Sequence, residues 1–504
     1  MEVCDPLEWK YRAEGNKHIV VGNDKGRVLR LQKKSPYIQN GDPSKETVDI
    51  EDNLAEVLRF QEFVALPLIR NSDACHIPKQ VDVAPDFVRK LSSSIESQRP
   101  ESRRHKSVQH ATSALLMFDH CYIPKESVRS QLKHLGDISL DSDTYSVEIK
   151  PKRGFILPSG SEGTLPALCQ FCHTQLYRVQ FEKRFTDCSN YCPVDLFSGD
   201  INRMKTAIRG LLNAPQNNFR IFKNGKLAYG QEVIKQNGAR TSPSKRNLYR
   251  KSFLTQLLVP FICGNGTVLS SSEICSTFIS MICEALMLPV IKKLKNSSED
   301  VNRSTQGSVC KRRHLGHPNG VQSQLTEQGP NILPNNSIMG LILNAQKINS
   351  NSISEVNDLY KLLKDKSKLQ NNLDSGIVID APYTSHHWQK FVQAQSSDDG
   401  TNNSMDEAVT KVRKFLVSKS FCDCSIMISM RKITCTKQMP VPSKAQKLTA
   451  QCNTIQDQFG NVYVVSIAVV DLDPKSSTRI PFYHQFNQKL VEWWKTLQYR
   501  QDMV

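Results

Sequence analysis

Short apolar runs punctuated by polar stretches mark the first 120 residues of the chain. His18 to Gly22 reads as a strand, Gly26 restarts the chain, and Arg27-Val28-Leu29-Arg30-Leu31-Gln32 alternates as a second strand. Ahead of them, Tyr11 to Lys17 is rich in charged residues and is expected to form a turn, and Lys33 to Thr47 is expected to be a polar loop. Ala114 to Phe118 is an apolar run of buried character that stops at Asp119-His120. The pattern predicts a small α/β unit from Trp9 to about His120.

Beyond it lies a larger unit. Tyr145 to Lys150 is strand-like, and the β-branched run Val464 to Val470 suits a central strand. Asn202 to Leu212 and Glu273 to Leu288 have helical character, with Pro289 stopping the second. Asn296 to Asn336 is rich in Ser, Asn, Gln and Gly and is expected to be a disordered insertion. Its Lys311-Arg312-Arg313-His314 cluster reads as a solvated charge run rather than a nuclear address. No internal repeat is evident.

At 504 residues, 39% of them hydrophobic, the chain has room for two or three units. No stretch reaches the ~18 consecutive apolar residues of a membrane helix, and Met1-Glu2-Val3-Cys4-Asp5 lacks the order of a signal peptide. A soluble intracellular protein is expected, with its 15 cysteines reduced. The net charge of +17, from 66 basic against 49 acidic residues, points to a polyanionic partner. Nucleic acid, an acidic membrane surface and a highly phosphorylated small molecule all satisfy it. Aromatics make up only 7% of the chain, too few for interleaved base-stacking to be a prominent feature.

Four segments offer chemistry. In Glu148-Ile149-Lys150-Pro151-Lys152 an extended backbone would put Lys150 and Lys152 on one face, which suits an anion between them. Two exposed lysines on an edge strand, which Pro151 favours, are an equal reading. Gln216-Asn217-Asn218-Phe219-Arg220 gathers amide donors and a guanidinium able to grip phosphate, or simply caps a turn. Asp471-Leu472-Asp473-Pro474 ends an apolar strand in a carboxylate, a common way to hold Mg²⁺ beside nucleotide phosphates, although Asp-Leu-Asp alone is not specific. Lys475, Arg479 and Tyr483 follow at four-residue steps, but Pro481 argues that the helix begins there and leaves the first two on a loop. Asp423, before the apolar run Ser425 to Ile428, is a second acid at a strand end, a frequent place for a base or metal ligand and equally for an ordinary strand-initiating Asp.

Taken in order, Glu148 to Lys152, Tyr191-Cys192-Pro193-Val194-Asp195-Leu196-Phe197-Ser198-Gly199, Gln216 to Phe222, Asp423 to Ile428 and Asp471 to Lys475 resemble the inositol-pentakisphosphate 2-kinase family from Tyr11 to about Trp494. The resemblance implies an α+β, two-lobed fold distantly like that of protein kinases, with an inositide-binding insertion in the C-lobe. Residues 1–120 would form the ATP-binding lobe and 121–504 the larger lobe. It implies transfer of a phosphoryl group from ATP, with Mg²⁺, to the 2-hydroxyl of inositol pentakisphosphate. Gly15, Asn16, Arg30, Asp119, His120 and Arg220 match ATP contacts, and Asp471 the metal-holding acid. Asp423 matches the acid at the reacting hydroxyl and a second candidate for the metal. Arg103, Lys150, Lys152, Arg178, Asn217, Asn218, Lys475, Arg479 and Tyr483 match inositide contacts, with Lys150 also placed at the reaction. A monomer without membrane or required nucleic acid, in nucleus and cytoplasm, is expected.

The chain departs from the family at four points. Ala13-Glu14-Gly15-Asn16-Lys17 holds one glycine, Cys422 stands where Lys is common, and Arg178 replaces a Lys. Plant members carry zinc on a Cys-Pro-x-Cys segment with two His, which the corresponding stretch lacks. Cys169, Cys172, Cys188 and Cys192 have spacing suited to zinc, although buried reduced thiols are the favoured reading.

Overall fold

A computed structural model of the chain describes residues 5–15, 17–33, 54–70, 73–131, 138–140, 142–157, 169–182, 188–238, 243–263, 268–290, 333–369, 383–394, 404–435 and 453–501. Asn16, most of the Lys33 to Thr47 loop and residues 296–332 of the expected insertion lie outside them.

Two antiparallel sheets carry the fold. The small sheet has the order β1-β2-β3-β5-β4, formed by β1 (Lys10–Glu14), β2 (His18–Gly22), β3 (Arg27–Gln32), β4 (Lys79–Asp82) and β5 (Ser113–Phe118). The helix Pro85–Ile95 starts on a proline, where the missing N–H is no loss. It buries Phe87, Val88, Leu91 and Ile95 in one cluster with Ile19, Val21, Leu29 and Leu31 of the sheet.

Tyr11 to Glu14 is therefore strand, where a turn was expected. Its charged residues mislead because they are paired internally. Lys33 Nζ donates to Glu14 at 2.5 Å and to the Gly15 carbonyl at 2.6 Å, and Arg99 Nε donates to Glu14 at 3.1 Å, with the Lys33, Glu14 and Arg99 side chains out of solvent.

The large sheet has the order β11-β12-β10-β7-β8-β9, from β7 (Thr144–Ile149), β8 (Phe219–Lys223), β9 (Lys226–Tyr229), β10 (Ser425–Cys435), β11 (Asn453–Gln456) and β12 (Val462–Val470). The short β6 (Ile138–Ser139) pairs with the far end of β10. Every residue of β7 is buried, yet its two faces differ. Tyr145, Val147 and Ile149 join the main core with Ile426, Ile428, Phe219, Ile221 and the helices Ile201–Asn213, Ser271–Met287 and Ile338–Gln346. Thr144, Ser146 and Glu148 alternate to the opposite face. There Ser146 meets Ser429 at 2.7 Å, and Glu148 accepts from Ser425 at 2.8 Å and from Arg220 at 3.0 Å.

Both predicted helices form. Asp200 caps Ile201–Asn213, Ser270 and Glu273 make a capping box for Ser271–Met287, and Leu288 turns extended before Pro289. Pro289 then bridges to Ser337 and Val290 N–H donates to the Asn336 carbonyl at 2.9 Å, so the ends of the segment between them meet. Among the described residues, no helix is long and apolar enough to cross a membrane.

The helix Ile201–Asn213 approaches the Asn190-Tyr191 backbone through Gly210, where a Cβ would sit 2.6 Å from Tyr191 N. Gly210→Ala is expected to destabilise the protein by about 1–3 kcal/mol, read by thermal or urea unfolding.

Candidate active site

Antiparallel pairing brings the ends of four strands to one edge of the large sheet. Ile149 faces both Ile426 and Phe219, and Ser425 faces Val470. The chain just beyond those residues carries Lys150 to Lys152, Asn217 and Asn218, Asp423, and Asp471 to Lys475. Backbone bonds fix the junction, with Lys150 N–H donating to the Asn218 carbonyl at 2.9 Å.

At this edge cations and acids interlock. Lys150 Nζ lies 3.3 Å from Asp471 Oδ2, Lys152 Nζ 3.4 Å from Asp423 Oδ1, and Lys475 Nζ 2.6 Å from Asp423 Oδ2. Lys150 and Lys152 converge as expected, but not through strand alternation. Lys150 lies past the end of a central strand, and Lys152 adopts φ +60°. Asp471 is also left-handed, at φ +59°. Such conformations cost roughly 1–3 kcal/mol for residues with a Cβ and persist where the surroundings hold them. At Lys152 the holder is Gln346, which is fully buried. Its Nε2 donates to the carbonyls of Lys152 (2.8 Å) and Phe421 (3.1 Å), while its Oε1 accepts from Gly154 N–H at 2.8 Å. Tyr191 adds a bond from its hydroxyl to the Pro151 carbonyl at 2.6 Å.

Burial pushes the Asp423 carboxyl up, but the ammonium groups of Lys152, Lys475 and Lys150 prevail and pull it to about 2. Burial works against the Lys150 ammonium, yet Asp471 and Glu148 hold its pKa above the ordinary value. Lys152 moves the other way, lowered by burial and by the charge of Lys150 against the pull of Asp423. Behind them Glu148 holds Arg220, whose other side pairs with Glu232 at 2.8 Å. Burial disfavours the Arg220 charge, but Glu148 and Glu232 outweigh it and raise the pKa. Burial raises the Glu232 carboxyl, while Arg220 and, more weakly, Arg103 bring it below the usual range.

The small sheet meets this edge through Arg30. Its guanidinium takes both oxygens of Asp473, one at 2.9 Å, and reaches His18 Nδ1 at 2.9 Å. Burial and the nearby guanidinium push His18 down to about 4. Burial raises the Asp473 carboxyl, and Arg30 reverses this and brings it to about 2. Farther back, Arg12 Nη1 donates to the Gly225 carbonyl at 2.8 Å, and its Nη2 lies 3.4 Å from the buried Asp119. Ser429 donates to the His120 carbonyl, and Cys121 packs with Phe222, Met427, Ala468, Leu227 and Val470 in an apolar patch.

The family model described as inositol-pentakisphosphate 2-kinase matches residues 11–489. The chain belongs to the inositol-pentakisphosphate 2-kinase family. The inositol-pentakisphosphate 2-kinase of Danio rerio is 28% identical over 98% of this chain and 94% of its own length. That of Arabidopsis thaliana is 33% identical over 48% of this chain and 57% of its own. An inositol-pentakisphosphate 2-kinase of Oryza sativa is 21% identical over 97% of this chain and 94% of its own.

Not every residue picked out by likeness to the inositol-pentakisphosphate 2-kinase family falls in the lysine–acid group. Lys150, Lys152, Asp423, Asp471 and Lys475 do. Asn218 is buried beside them, its amide 3.3 Å from Gln216, whereas Asn217 is exposed. Arg479 sits in the 3-10 turn Ser477–Arg479 before the helix Ile480–Gln501, as Pro481 implied, with its guanidinium over Phe482. Tyr483 packs on Phe415 and under Lys419. Arg178 lies on the helix Gln170–Phe181, 3.4 Å from Glu182 and over Phe486. Arg103 lends its carbonyl to Arg99 at 2.8 Å, and Gly15 holds the β1–β2 turn by donating to the His18 carbonyl at 2.9 Å. Glu148, Ser425, Gln346 and Asp473 went unassigned in the sequence. A cross-strand match of Glu148 with Arg220 was the available signal for the first.

Three of the four cysteines named together do converge. The sulfurs of Cys169, Cys172 and Cys192 all lie within 4.8 Å of one another, while Cys188 is exposed. Bonds from the other two thiols and from the Asp195 and Val194 N–H groups favour the Cys192 thiolate and lower its pKa. Three soft donors of this kind could hold a metal ion of zinc type.

The Asp473 carboxyl, depressed from 3.8 to about 2, contributes stability that is complete above about pH 4 and lost as pH falls through about 2. Asp473→Asn is expected to unfold more easily at pH 7 by about 2 kcal/mol, with the difference closing towards pH 2 in thermal melts.

Proposed function

We propose that this protein transfers the γ-phosphoryl group of ATP to the 2-hydroxyl of inositol 1,3,4,5,6-pentakisphosphate, giving the hexakisphosphate and ADP. The observation that carries this reading is the set of three ammonium groups pressed against two strand-end carboxylates at one sheet edge. A substrate with five phosphates carries roughly ten negative charges, and only converging Lys and Arg can replace its hydration. A polyanion-binding protein would need the lysines but would have no use for Asp423 and Asp471 among them.

On this reading the geometry supports the following roles. Lys150, Lys152 and Lys475 exchange their carboxylate partners for substrate phosphates. Taking the lysines from Asp423 raises its proton affinity, and the freed carboxylate can accept the hydrogen of the 2-hydroxyl. Phosphoryl transfer asks mainly for positioning and charge compensation, so a weak base suffices. Asp471 suits Mg²⁺: it is half-exposed, a hard oxygen donor, and its Oδ1 makes no hydrogen bond among the described residues. Both oxygens of Asp423 are occupied by lysines, which makes it the secondary metal candidate. Bound at Asp471, Mg²⁺ would supply charge neutralisation for the phosphates. Arg30 and Arg220 stand on the two sheets as phosphate contacts, and the apolar patch beside Asp119-His120 offers a floor to the adenine. On this reading residues 1–120 act as the nucleotide lobe and 121–504 as the inositide lobe of a distantly protein-kinase-like fold.

Incubation with Mg-ATP and inositol pentakisphosphate, followed by anion-exchange separation, should give a hexakisphosphate peak that Asp471→Ala abolishes. Binding of inositide without product in the native chain would overturn the assignment. Asp423→Asn should lower turnover about 100-fold or more while inositide affinity, by calorimetry, holds or rises. Lys150→Ala should weaken inositide binding about tenfold or more and ATP binding much less.

A further inference from the structure

Arg30 sits in β3 between Leu29 and Leu31, both fully buried, and its own side chain is only 9% exposed. A guanidinium in such a place needs partners for its charge and for five N–H groups. Nη1 donates one to Asp473 Oδ1, and Nη2 donates one to Asp473 Oδ2 and one to His18 Nδ1. Arginine can only donate, so His18 must accept on Nδ1 and carry its own proton on Nε2. Three donors are thus engaged. The Nε–H and one Nη1–H are left over among the described residues.

Asp473 is itself immobilised. Its carbonyl accepts from Ser420 at 2.8 Å, on the helix Ser404–Cys422 that ends beside Asp423. The preceding Leu472 is buried, and its carbonyl accepts from Gln61 at 3.3 Å. Asp473 also stands two residues from Asp471 and two from Lys475. The carboxylate that grips Arg30 therefore shares a rigid loop with the metal-holding acid and an inositide lysine.

We propose that Asp473 is a positioning residue for phosphoryl transfer: it grips Arg30 end-on, with His18 alongside, and leaves two guanidinium donors for nucleotide phosphate. This rests on the assignment of the protein as an ATP-dependent kinase. Bidentate pairing fixes the plane of the guanidinium, a role Lys in place of Arg30 would not fill. The same pair ties the small sheet to the loop bearing Asp471, so nucleotide phosphate, metal acid and acceptor site keep one register. A carboxylate that merely blocked Arg30 until ATP displaced it would give the opposite mutational sign.

The test is a double-mutant cycle on the full chain with Arg30→Ala, Asp473→Asn, Asp473→Ala and the Arg30→Ala/Asp473→Ala pair. Mg-ATP affinity is measured by calorimetry without inositide, and kcat and KM are measured for both substrates. Thermal melts confirm folding, with the isosteric Asp473→Asn as the gentler variant. Either Asp473 change should weaken ATP binding and lower kcat/KM for ATP about tenfold or more, leaving KM for the inositide within about twofold. In the Arg30→Ala background, Asp473→Ala should add less than about twofold. Additive effects, unchanged ATP kinetics in folded Asp473→Asn, or tighter ATP binding would each overturn the proposal, as would a native chain that binds no Mg-ATP. A native chain that binds ATP but forms no hexakisphosphate would overturn the assigned reaction, and the calorimetric cycle would still decide the role of Asp473.

Discussion

The register of β7, β10 and β12 is the constraint on which the site rests. Pairing of Ile149 with Ile426, and of Ser425 with Val470, places two acids and three lysines at one edge. Side chains alternate with a period of two, so a slip by one residue would send Glu148 and Ser425 into the apolar core and Ile149 out of it. The core is thus the part that sets the chemistry. Burying Tyr145, Val147 and Ile149 on one face leaves Glu148 nowhere to go but towards Arg220 and Ser425.

The site also shows how a strongly basic protein keeps cations together before its substrate arrives. Like charges converging at a sheet edge repel, and the acids between them relieve that repulsion. Asp423 shared by Lys152 and Lys475, Asp471 beside Lys150, and Asp473 on Arg30 hold those cations in place. Pre-arranged cations lose less freedom on binding than flexible ones, which favours affinity and orientation alike.

Much of this was legible in the residues before the structure. The strand ends at Lys150, Asp471 and Asp423 could be read from apolar runs that stop at charged residues. The strand Tyr11 to Glu14 could not be read, because the partners that neutralise Glu14 are Lys33 and Arg99, far along the chain. Lys150 and Lys152 were matched by an alternation rule, yet a left-handed Lys152 held by Gln346 brings them together. Glu148, Gln346 and Asp473 matter through contacts with residues distant in sequence, which no local pattern encodes. The cysteine spacing pointed to four sulfurs; folding gathers three and leaves Cys188 at the surface.

The bridge between Pro289 and Ser337 has a bearing beyond the segment whose ends it joins. It fixes the point at which the chain re-enters the fold at Ser337. The helix Ile338–Gln346 begins at the next residue, and its last side chain clamps the backbone of Lys152. A change at either end of the bridge would therefore be felt at the backbone of Lys152 through nine residues of helix.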